Sequence, residues 1–207
     1  MRPRLLDLFC GAGGAAMGYH SAGFEIVGVD IKRQPRYPFP FVQGDALAPP
    51  VDLTAFDAIH ASPPCQRWSS ATMAWGRTAE HPDLYDPVRR MLCATGLPWV
   101  IENVEGAPSR HGAVLCGTMF GLGVQRHRTF ESSHVMLLDR QCIHNGAALT
   151  VTGHSPYWWA QGRRIPASAE HIAQAMGIDW MSRREIVQAV PPAYTEWIGR
   201  QLLGQVR

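Results

Sequence analysis

Short apolar runs alternate with helix-like patterns through the first half of the chain, and this alternation constrains the fold more than any other feature. The pattern predicts strands at 5–9, 25–30 and 58–61 and helices at 15–22 and 82–95, with a proline-rich loop that ends at residue 50. Strands that alternate with helices form a parallel sheet with helices on both faces. We therefore expect an α/β fold with a mostly parallel, doubly wound sheet.

The first strand leads into a glycine-rich turn, Cys10-Gly11-Ala12-Gly13-Gly14, and then into a helix. Glycine lets a ligand approach the backbone closely, and the first turn of the helix offers N–H groups without intrahelical partners. The second strand ends in Asp30, where folds of this kind bond a ribose hydroxyl. A strand, turn and helix of this type serve any nucleotide-like ligand, so they predict a nucleotide-like cofactor without identifying it.

Cys65 follows two prolines at the end of the third apolar run, in Pro63-Pro64-Cys65-Gln66. Proline fixes φ and disfavours a helix before it, so the thiol is expected on a stiff turn after a strand. A later strand at 99–104 carries Glu102 near its carboxyl end, and sites in open α/β sheets collect at those ends. Cys65 is either a buried structural thiol or a nucleophile, and its neighbouring motifs favour the nucleophile.

Four motifs in order resemble those of the DNA cytosine-C5 methyltransferases: DLFCGAGG at 7–14, PPCQ at 63–66, ENV at 102–104 and the triplet Arg126-His127-Arg128. The likeness extends from Leu5 to about Leu203, and only the stretch after Arg128 lacks a clear counterpart. A small phage- or orphan-type member of this family is implied. The implied fold is Rossmann-like, and the implied reaction is methyl transfer from S-adenosylmethionine to C5 of cytosine in a short DNA sequence.

The resemblance places S-adenosylmethionine, whose product is S-adenosylhomocysteine, on the glycine-rich turn, with Asp30 on the ribose and Asp45 on the adenine. Relatives usually carry a Gly-Asn pair where this chain has Gln188-Ala189, which leaves the contacts to the methionine end less defined. The residues expected to bind the cofactor are Asp7, Phe9, Cys10, Gly11, Ala12, Gly13, Gly14, Asp30, Ile31, Asp45, Ala46, Pro63 and Val190.

Four catalytic residues are implied: Cys65, Glu102, Arg126 and Arg128. The Cys65 thiolate is expected to add to C6 of cytosine and so activate C5, with its pKa lowered by the two arginines. Glu102 is expected to stay protonated and to donate to cytosine N3. Arg128 is expected to bond cytosine O2 or a neighbouring phosphate, and Arg126 to hold the catalytic region in place.

A target base inside a duplex cannot reach Cys65 and has to be flipped out. In the family, the connection that follows the cysteine closes over the flipped base, and a target recognition domain occupies the place of residues 131–168. The aromatic cluster at 157–159 either stacks on bases or fills a small core. The residues expected to contact nucleic acid are Gln66, Arg67, Trp68, Ser69, Ser70, Asn103, Arg140, Tyr157, Trp158, Trp159, Arg163 and Arg164.

Length and composition predict one domain with a small appendage, since 207 residues of 46% hydrophobic content suit a single core. The predicted organisation is a catalytic and cofactor-binding core at 1–130, a small recognition region at 131–168 and a helical segment at 169–207 that returns to the core. The five cysteines are scattered without a CxxC pair, so neither a disulfide frame nor a metal site is predicted. Cys142 and His144, with His134 and His154 nearby, have a spacing that is common by accident.

The sequence lacks a signal-peptide pattern and any apolar run of about 18 residues, so we expect an intracellular, cytoplasmic protein without membrane contact. Double-stranded DNA is the expected partner of a monomeric chain. Two alternatives stay open. One is a tRNA or RNA cytosine-C5 methyltransferase, because a tRNA-methylating branch shares these motifs. The other is an inactive DNA- or cofactor-binding homologue, which the presence of Cys65 and Glu102 disfavours.

Overall fold

The computed structural model describes residues 1–144, 149, 151, 157–160 and 163–206, without the side chains of residues 70, 71, 157–160, 163 and 164. Its main sheet has seven strands in the order β3-β2-β1-β4-β5-β7-β6. These strands are β1 (Arg4–Leu8), β2 (Glu25–Asp30), β3 (Phe41–Gln43), β4 (Ala58–Ala61), β5 (Trp99–Asn103), β6 (Ala113–Leu115) and β7 (Arg128–Ser132). Strands β1 to β5 pair in parallel, and β7 runs antiparallel to both β5 and β6. The predicted mostly parallel sheet is confirmed.

Six α-helices lie within the described residues: α1 (Gly14–Ala22), α2 (Ser70–Ala74), α3 (Tyr85–Thr95), α4 (Ala169–Met176), α5 (Arg183–Ile186) and α6 (Pro192–Leu202). The Ser168 hydroxyl caps α4 by accepting from the backbone N–H of His171. Pro192 is the first residue of α6, a position where proline needs no N–H and already has a helical φ. None of the described helices is long and apolar enough to span a membrane.

Apolar side chains cover both faces of the sheet, as a doubly wound fold requires. Leu5 belongs to one buried cluster with Tyr19 of α1 and Tyr194 of α6. Leu6, next in β1, belongs to a second cluster with Leu92 of α3. Successive strand residues point to opposite faces, so α1 and α6 cover one side and α3 covers the other.

Helix α3 is tied to the antiparallel strand β7 by a buried ion pair. The Arg89 Nε and Nη2 atoms lie 2.7 and 2.8 Å from the two carboxylate oxygens of Glu131. The same carboxylate accepts from the Tyr85 hydroxyl at 3.0 Å and from the backbone N–H of Arg110 at 2.9 Å. Each oxygen is therefore satisfied, which is the condition under which a buried ion pair is tolerated.

The chain beyond β7 departs most from the sequence-based expectation. The predicted boundary between residues 130 and 131 falls inside β7, so the segment predicted as the recognition region leaves the sheet after Ser132. An unpredicted antiparallel hairpin, β8 (Tyr157–Ala160) with β9 (Arg163–Pro166), lies within it. Val124, Leu149 and Val151 share a third buried cluster with Ile172 and Met176 of α4. This small region and the C-terminal helices therefore share one core.

Helices α1 and α6 pack so closely that a glycine is required between them. A Cβ atom on Gly18 would lie 2.1 Å from both the Pro192 carbonyl oxygen and the Thr195 Oγ1 atom. The Thr195 hydroxyl also donates to the carbonyl of Ala15 at 2.8 Å. Since one of the two opposing atoms belongs to the backbone, no side-chain rotation relieves the contact.

We expect Gly18→Ala to lower the free energy of unfolding by about 1–3 kcal/mol, because overpacking outweighs the roughly 1 kcal/mol that alanine gains in a helix. Urea denaturation measures the change. Gly123→Ala is the matched control, since a Cβ atom there would have its nearest neighbour at 3.8 Å. Equal stability of the two variants would contradict the close α1–α6 packing.

Candidate functional site

The strand order reverses between β1 and β4, and the carboxyl ends of the parallel strands around this point carry most of the candidate residues. The glycine-rich turn follows β1, Asp30 ends β2, the Pro63-Pro64-Cys65 turn follows β4, and Glu102 lies near the end of β5. Ligands of open α/β sheets bind in the crevice outside such a switch point. The topology therefore brings together motifs that are far apart in sequence.

The turn after β1 has an unusual backbone that is held by neighbouring segments. Phe9 has a φ of 56°, which non-glycine residues seldom adopt and which often marks a functional site. A Cβ atom on Gly14 would lie 2.5 Å from the Val190 carbonyl oxygen, so the segment before α6 packs directly on the turn. A Cβ atom on Gly11 would meet nothing within 4 Å, so this side of the turn faces open space.

Asp30 fastens the turn to the end of β2. Its two carboxylate oxygens accept from the backbone N–H groups of Gly11 at 3.0 Å and Lys32 at 2.9 Å. Each oxygen keeps a second lone pair with which it can accept from a ribose hydroxyl. Beside it, the apolar side chain of Ile31 is 66% exposed. Asp45 is also exposed, and its Oδ1 atom accepts from the backbone N–H of Leu47 at 2.9 Å.

These residues fit an adenine nucleoside as ligand, because an exposed apolar side chain and two accessible carboxylates lie at or just after the ends of β2 and β3, and the open glycine turn is bonded to Asp30. Asp7 does not fit the expected direct contact, because it is completely buried, and it supports the turn instead. Cys10 is 7% exposed, much like Ala12 and Val190, and its expected contact stays a prediction. Burial raises the pKa of the Cys10 thiol, and the charges of Asp7 and Asp30 add to that shift.

Asp7 is completely buried, with an incomplete set of hydrogen bonds. The Tyr37 hydroxyl donates to its Oδ2 atom at 3.2 Å, while Oδ1 has no hydrogen-bond partner among the described residues. Burial raises the pKa of this carboxyl to about 8; the Tyr37 hydrogen bond opposes the shift and the Asp30 charge adds to it. Asp7 is therefore protonated in the folded protein at neutral pH.

Cys65 lies on a turn that is anchored to β5. The Asn103 Nδ2 atom donates to the Pro63 carbonyl at 2.9 Å, and its Oδ1 atom accepts from the backbone N–H of Val104. Asn103 is buried, which does not fit the expected contact with nucleic acid; it positions the cysteine turn instead. Pro63 is likewise buried, and the half-buried Cys65 starts a short 3-10 helix at Gln66–Trp68.

The predicted effect of the arginines on Cys65 is outweighed by burial. The charges of Arg128 and Arg126 lower the pKa of the thiol, but burial raises it by more, and the Glu102 charge adds to the increase. The net pKa lies above that of an ordinary cysteine, so the predicted lowering is wrong for the unliganded protein. The thiol therefore carries its proton at neutral pH.

Glu102 is buried and pairs with Arg128. The Arg128 Nε atom lies 2.9 Å from Glu102 Oε1, and Arg128 Nη1 donates to the His127 carbonyl at 2.7 Å. Burial raises the pKa of Glu102, and the charges of Arg128 and Arg126 and a hydrogen bond with Ser62 oppose this shift without cancelling it. The direction agrees with the expectation that this carboxyl holds a proton.

Arg126 is buried, and its guanidinium hydrogen bonds with the described residues go to backbone carbonyls, while its Nε atom has no partner among those residues. Its Nη1 atom donates to the Val151 carbonyl at 2.7 Å and its Nη2 atom to the Val187 carbonyl at 3.0 Å. Burial, together with the charge of Arg128, lowers the pKa of Arg126 to about 9, so the guanidinium is still charged at neutral pH. These contacts support the expected positioning role.

A buried chain of hydrogen bonds that ends at Glu102 was not predicted from the sequence. The Tyr19 hydroxyl lies 3.1 Å from His60 Nδ1, His60 Nε2 lies 2.9 Å from Ser62 Oγ, and Ser62 bonds Glu102. Burial lowers the pKa of His60 to about 3, so its ring is neutral. The available signal was a histidine inside the buried strand β4, but nothing in the sequence connects it to Glu102.

The expected nucleic-acid contacts fall into three groups. Gln66, Trp68 and Ser69 lie beside Cys65 at the start of the connection to α3, which contains α2 and short 3-10 helices. Arg67 turns inward and donates to the carbonyls of Thr78 and His81, whereas exposed Arg140 packs on Phe120. The side chains of a third group lie outside the described residues: Ser70, Tyr157, Trp158, Trp159, Arg163 and Arg164.

A model of the family described as C-5 cytosine-specific DNA methylase matches residues 3–119, which is more than half of the 207-residue chain. No curated protein matches the chain.

Several solved structures share the fold over nearly their whole length. A protein described as a DNA modification methyltransferase encoded within an E. coli prophage superposes with a TM-score of 0.64 at 15% identity, covering 98% of this chain and 99% of that chain. The S. pombe Dnmt2 methyltransferase gives a TM-score of 0.66 at 12% identity, and 99% of each chain is covered. The Entamoeba histolytica methyltransferase EhMeth gives 0.63 at 12% identity, again covering 99% of each chain.

The buried carboxyl of Asp7 leads to a testable dependence of stability on pH. Between pH 3.8, its ordinary pKa, and about 8, the folded protein keeps a proton that the unfolded chain releases. Raising the pH in this window therefore favours unfolding, by up to roughly 1.4 kcal/mol per pH unit from this group. We expect Asp7→Asn to remove this decrease in stability.

Urea unfolding from pH 4 to about 8 measures the difference. Asp179→Asn, which makes the same chemical change at an exposed position, is the control. Stability curves of Asp7→Asn and wild type that run parallel over this range would contradict a protonated Asp7.

Proposed function

The chain belongs to the family of C-5 cytosine-specific DNA methylases, and from this premise we propose that it transfers a methyl group from S-adenosylmethionine to C5 of cytosine in a short DNA sequence. The proposal rests on one observation: Cys65 and Glu102 are each held in place by a neighbouring residue. Asn103 ties the Cys65 turn to β5, and the same strand carries Glu102 in contact with Arg128. The proposed nucleophile, Cys65, and the carboxyl of Glu102, whose pKa is raised, therefore lie at the same edge of the sheet.

Methyltransferases of this kind generally use S-adenosylmethionine, which supplies an electrophilic methyl group when bound. In the proposal, the backbone of the 9–14 turn holds the cofactor beside the start of α1. Asp30 accepts from the ribose, Asp45 accepts from the adenine amino group, and Ile31 covers the adenine ring. Val190 supports the turn from behind through its contact with Gly14.

Cys65 acts as the nucleophile in the proposed reaction. Its sulfur bonds to C6 of the flipped cytosine, its proton leaves, and the electron pair of the C5=C6 double bond makes C5 nucleophilic. Glu102 donates its proton to N3 and so limits the negative charge that builds up on the ring. Arg128, held by Glu102 and by the His127 carbonyl, directs its remaining N–H groups to cytosine O2. C5 would then take the methyl group from the sulfonium of the bound cofactor, which leaves as S-adenosylhomocysteine. Loss of the C5 proton to water re-forms the C5=C6 double bond, and the carbon–sulfur bond breaks to release the Cys65 thiolate.

Double-stranded DNA is the proposed substrate, bound by a monomer inside the cell. Flipping the base costs a few kcal/mol, and Trp68 and Ser69, which follow Cys65, are placed to occupy the space that it leaves. The register of the β8–β9 hairpin sets Trp159 opposite Arg164, so an aromatic and a cationic residue share one position along it. A region of this size presents few side chains to base edges, which favours a site of roughly two to four base pairs.

An RNA cytosine is the alternative substrate. The stretch between β7 and α4 spans only residues 133–168. A recognition region of this size contacts a short stretch of nucleic acid, so it requires neither a long duplex nor a long recognition sequence. The catalytic residues would serve either nucleic acid, because the reacting ring is the same.

The substrate is tested by methyl incorporation from labelled S-adenosylmethionine into duplex DNA and into tRNA. We expect labelling of DNA, and we expect Cys65→Ser to abolish it because a hydroxyl is far less ionised than a thiol. Cys93→Ser is the control, since Cys93 is an exposed cysteine on α3. Labelling of tRNA alone would replace the DNA proposal with the RNA alternative.

A covalent trap examines the nucleophile separately. In the presence of S-adenosylmethionine, DNA that contains 5-fluorocytosine should form an SDS-resistant complex with wild type, because fluorine cannot leave C5 as a cation after methyl transfer and Cys65 cannot be released. The same complex in Cys65→Ala would show that another residue is the nucleophile.

The hydrogen bond from Ser62 leads to a prediction about Glu102. If protonated Glu102 is the active form, kcat decreases as the pH rises through the pKa of Glu102. Ser62 lowers this pKa, so Ser62→Ala should shift the decrease to higher pH. Glu102→Gln should keep cofactor affinity while losing about 10²–10⁴ in kcat, because an amide cannot supply the proton. An unchanged pH profile of kcat in Ser62→Ala would show that the Ser62 hydrogen bond does not control the protonation of Glu102.

A further inference from the structure

Four metal-binding side chains converge at the junction between the core and the recognition region. Cys116 follows β6, His127 precedes β7, and Cys142 and His144 belong to the segment after β7. The four potential ligand atoms all lie within 4.8 Å of one another. His144 Nε2 lies 2.9 Å from Cys142 Sγ and 3.4 Å from Cys116 Sγ, and His127 Nε2 lies 3.3 Å from Cys142 Sγ.

These distances suit a tetrahedral zinc ion. Zinc binds thiolate sulfur at about 2.3 Å and imidazole nitrogen at about 2.0–2.1 Å, so tetrahedral ligand atoms lie about 3.3–3.8 Å apart. The observed separations require only small side-chain movements to reach this arrangement. Two thiolates and two imidazoles form a common ligand set of structural zinc sites, and four protein ligands leave no position for a substrate.

We propose that Cys116, His127, Cys142 and His144 bind one Zn²⁺ ion, a structural site that goes beyond the proposed methyl transfer and does not depend on it. Groups around the ligands favour it. Thr118 Oγ1 donates to Cys116 Sγ at 3.4 Å, and the Nδ1 atom of His127 faces a Glu105 carboxylate oxygen at 3.9 Å. A carboxylate behind the second nitrogen of a ligating histidine is a frequent feature of zinc sites.

The proposed zinc site connects the recognition region to the sheet edge that carries Cys65, Glu102 and Arg128. Its ligands on the core side are Cys116 and His127, and the backbone carbonyl of His127 accepts from Arg128 Nη1. Zinc therefore fixes the start of the recognition region beside the arginine that contacts Glu102. The sequence predicted no metal site and suggested His134 and His154 as neighbours of Cys142 and His144, whereas the structure brings Cys116 and His127 to them. His134 instead bonds Ser133, and His154 lies outside the described residues.

The test measures metal in the full-length protein, purified without a histidine tag and without chelators in the presence of a phosphine reductant. Mass spectrometry of the metal content should give about one zinc per chain for wild type. Cys142→Ser should reduce this content by at least about fivefold, since thiolate ligation is lost. Cys93→Ser, which removes an exposed cysteine from α3, and His134→Gln, which removes a nearby histidine, should both keep the zinc.

Two further measurements keep the proposal testable if Cys142→Ser fails to fold. A chelator added to wild type should lower Tm, and added zinc should restore it. Replacement by Co²⁺ should give a sulfur-to-cobalt charge-transfer band and the visible bands of tetrahedral cobalt, which require thiolate ligands.

Three outcomes would overturn the site. The first is wild-type protein that is purified without zinc and shows no change in Tm when zinc is added. The second is folded Cys142→Ser that retains the wild-type zinc content. The third is a Cys116–Cys142 disulfide in the freshly purified protein, because it would consume both sulfur ligands.

Discussion

Arg126 forms hydrogen bonds with three other parts of the chain, and the position of the neighbouring Arg128 depends on these bonds. Its guanidinium donates to the carbonyls of Val151 in the recognition region and Val187 before α6. Its own carbonyl accepts from the Tyr194 hydroxyl of α6 at 2.5 Å. A buried charge is costly unless it is hydrogen-bonded, and here two carbonyl dipoles take the place of a carboxylate, although Arg126 Nε has no partner among the described residues. The segment that carries Arg128 can therefore occupy this position only when all three parts are folded together.

Burial raises the pKa values of both Glu102 and Cys65, but the consequences for their proposed roles are opposite. It raises the pKa of Glu102, which favours the protonated form that a hydrogen-bond donor needs, and it raises the pKa of Cys65, which disfavours the thiolate that a nucleophile needs. Arg128 acts on both groups and lowers both pKa values. A shared environment cannot set the two pKa values independently, so in the proposed reaction proton loss from Cys65 has to accompany its attack on the base.

Sequence analysis predicted the parts of the fold that local patterns determine. The strands at 25–30 and 58–61 were predicted with the bounds observed, because buried parallel strands appear as continuous apolar runs. Strand β3 was hidden in a proline-rich loop, and the β8–β9 hairpin in a segment rich in turn residues. Local patterns also could not predict side-chain partners. Glu131 pairs with Arg89 42 residues away, and His60 pairs with Tyr19 41 residues away.

The described residues between β7 and α4, the predicted recognition region, bury few apolar side chains. Leu149 and Val151 contribute to a core that is completed by α4 and α5, and the segment at 133–144 exposes Val135, Leu137 and Ile143. Small structures of this kind commonly need a metal or another cross-link. The proposed zinc ion would supply one through His127, while Arg126 supplies the other through Val151. Since these two residues precede Arg128 directly, the position of the recognition region would determine how Arg128 reaches Glu102.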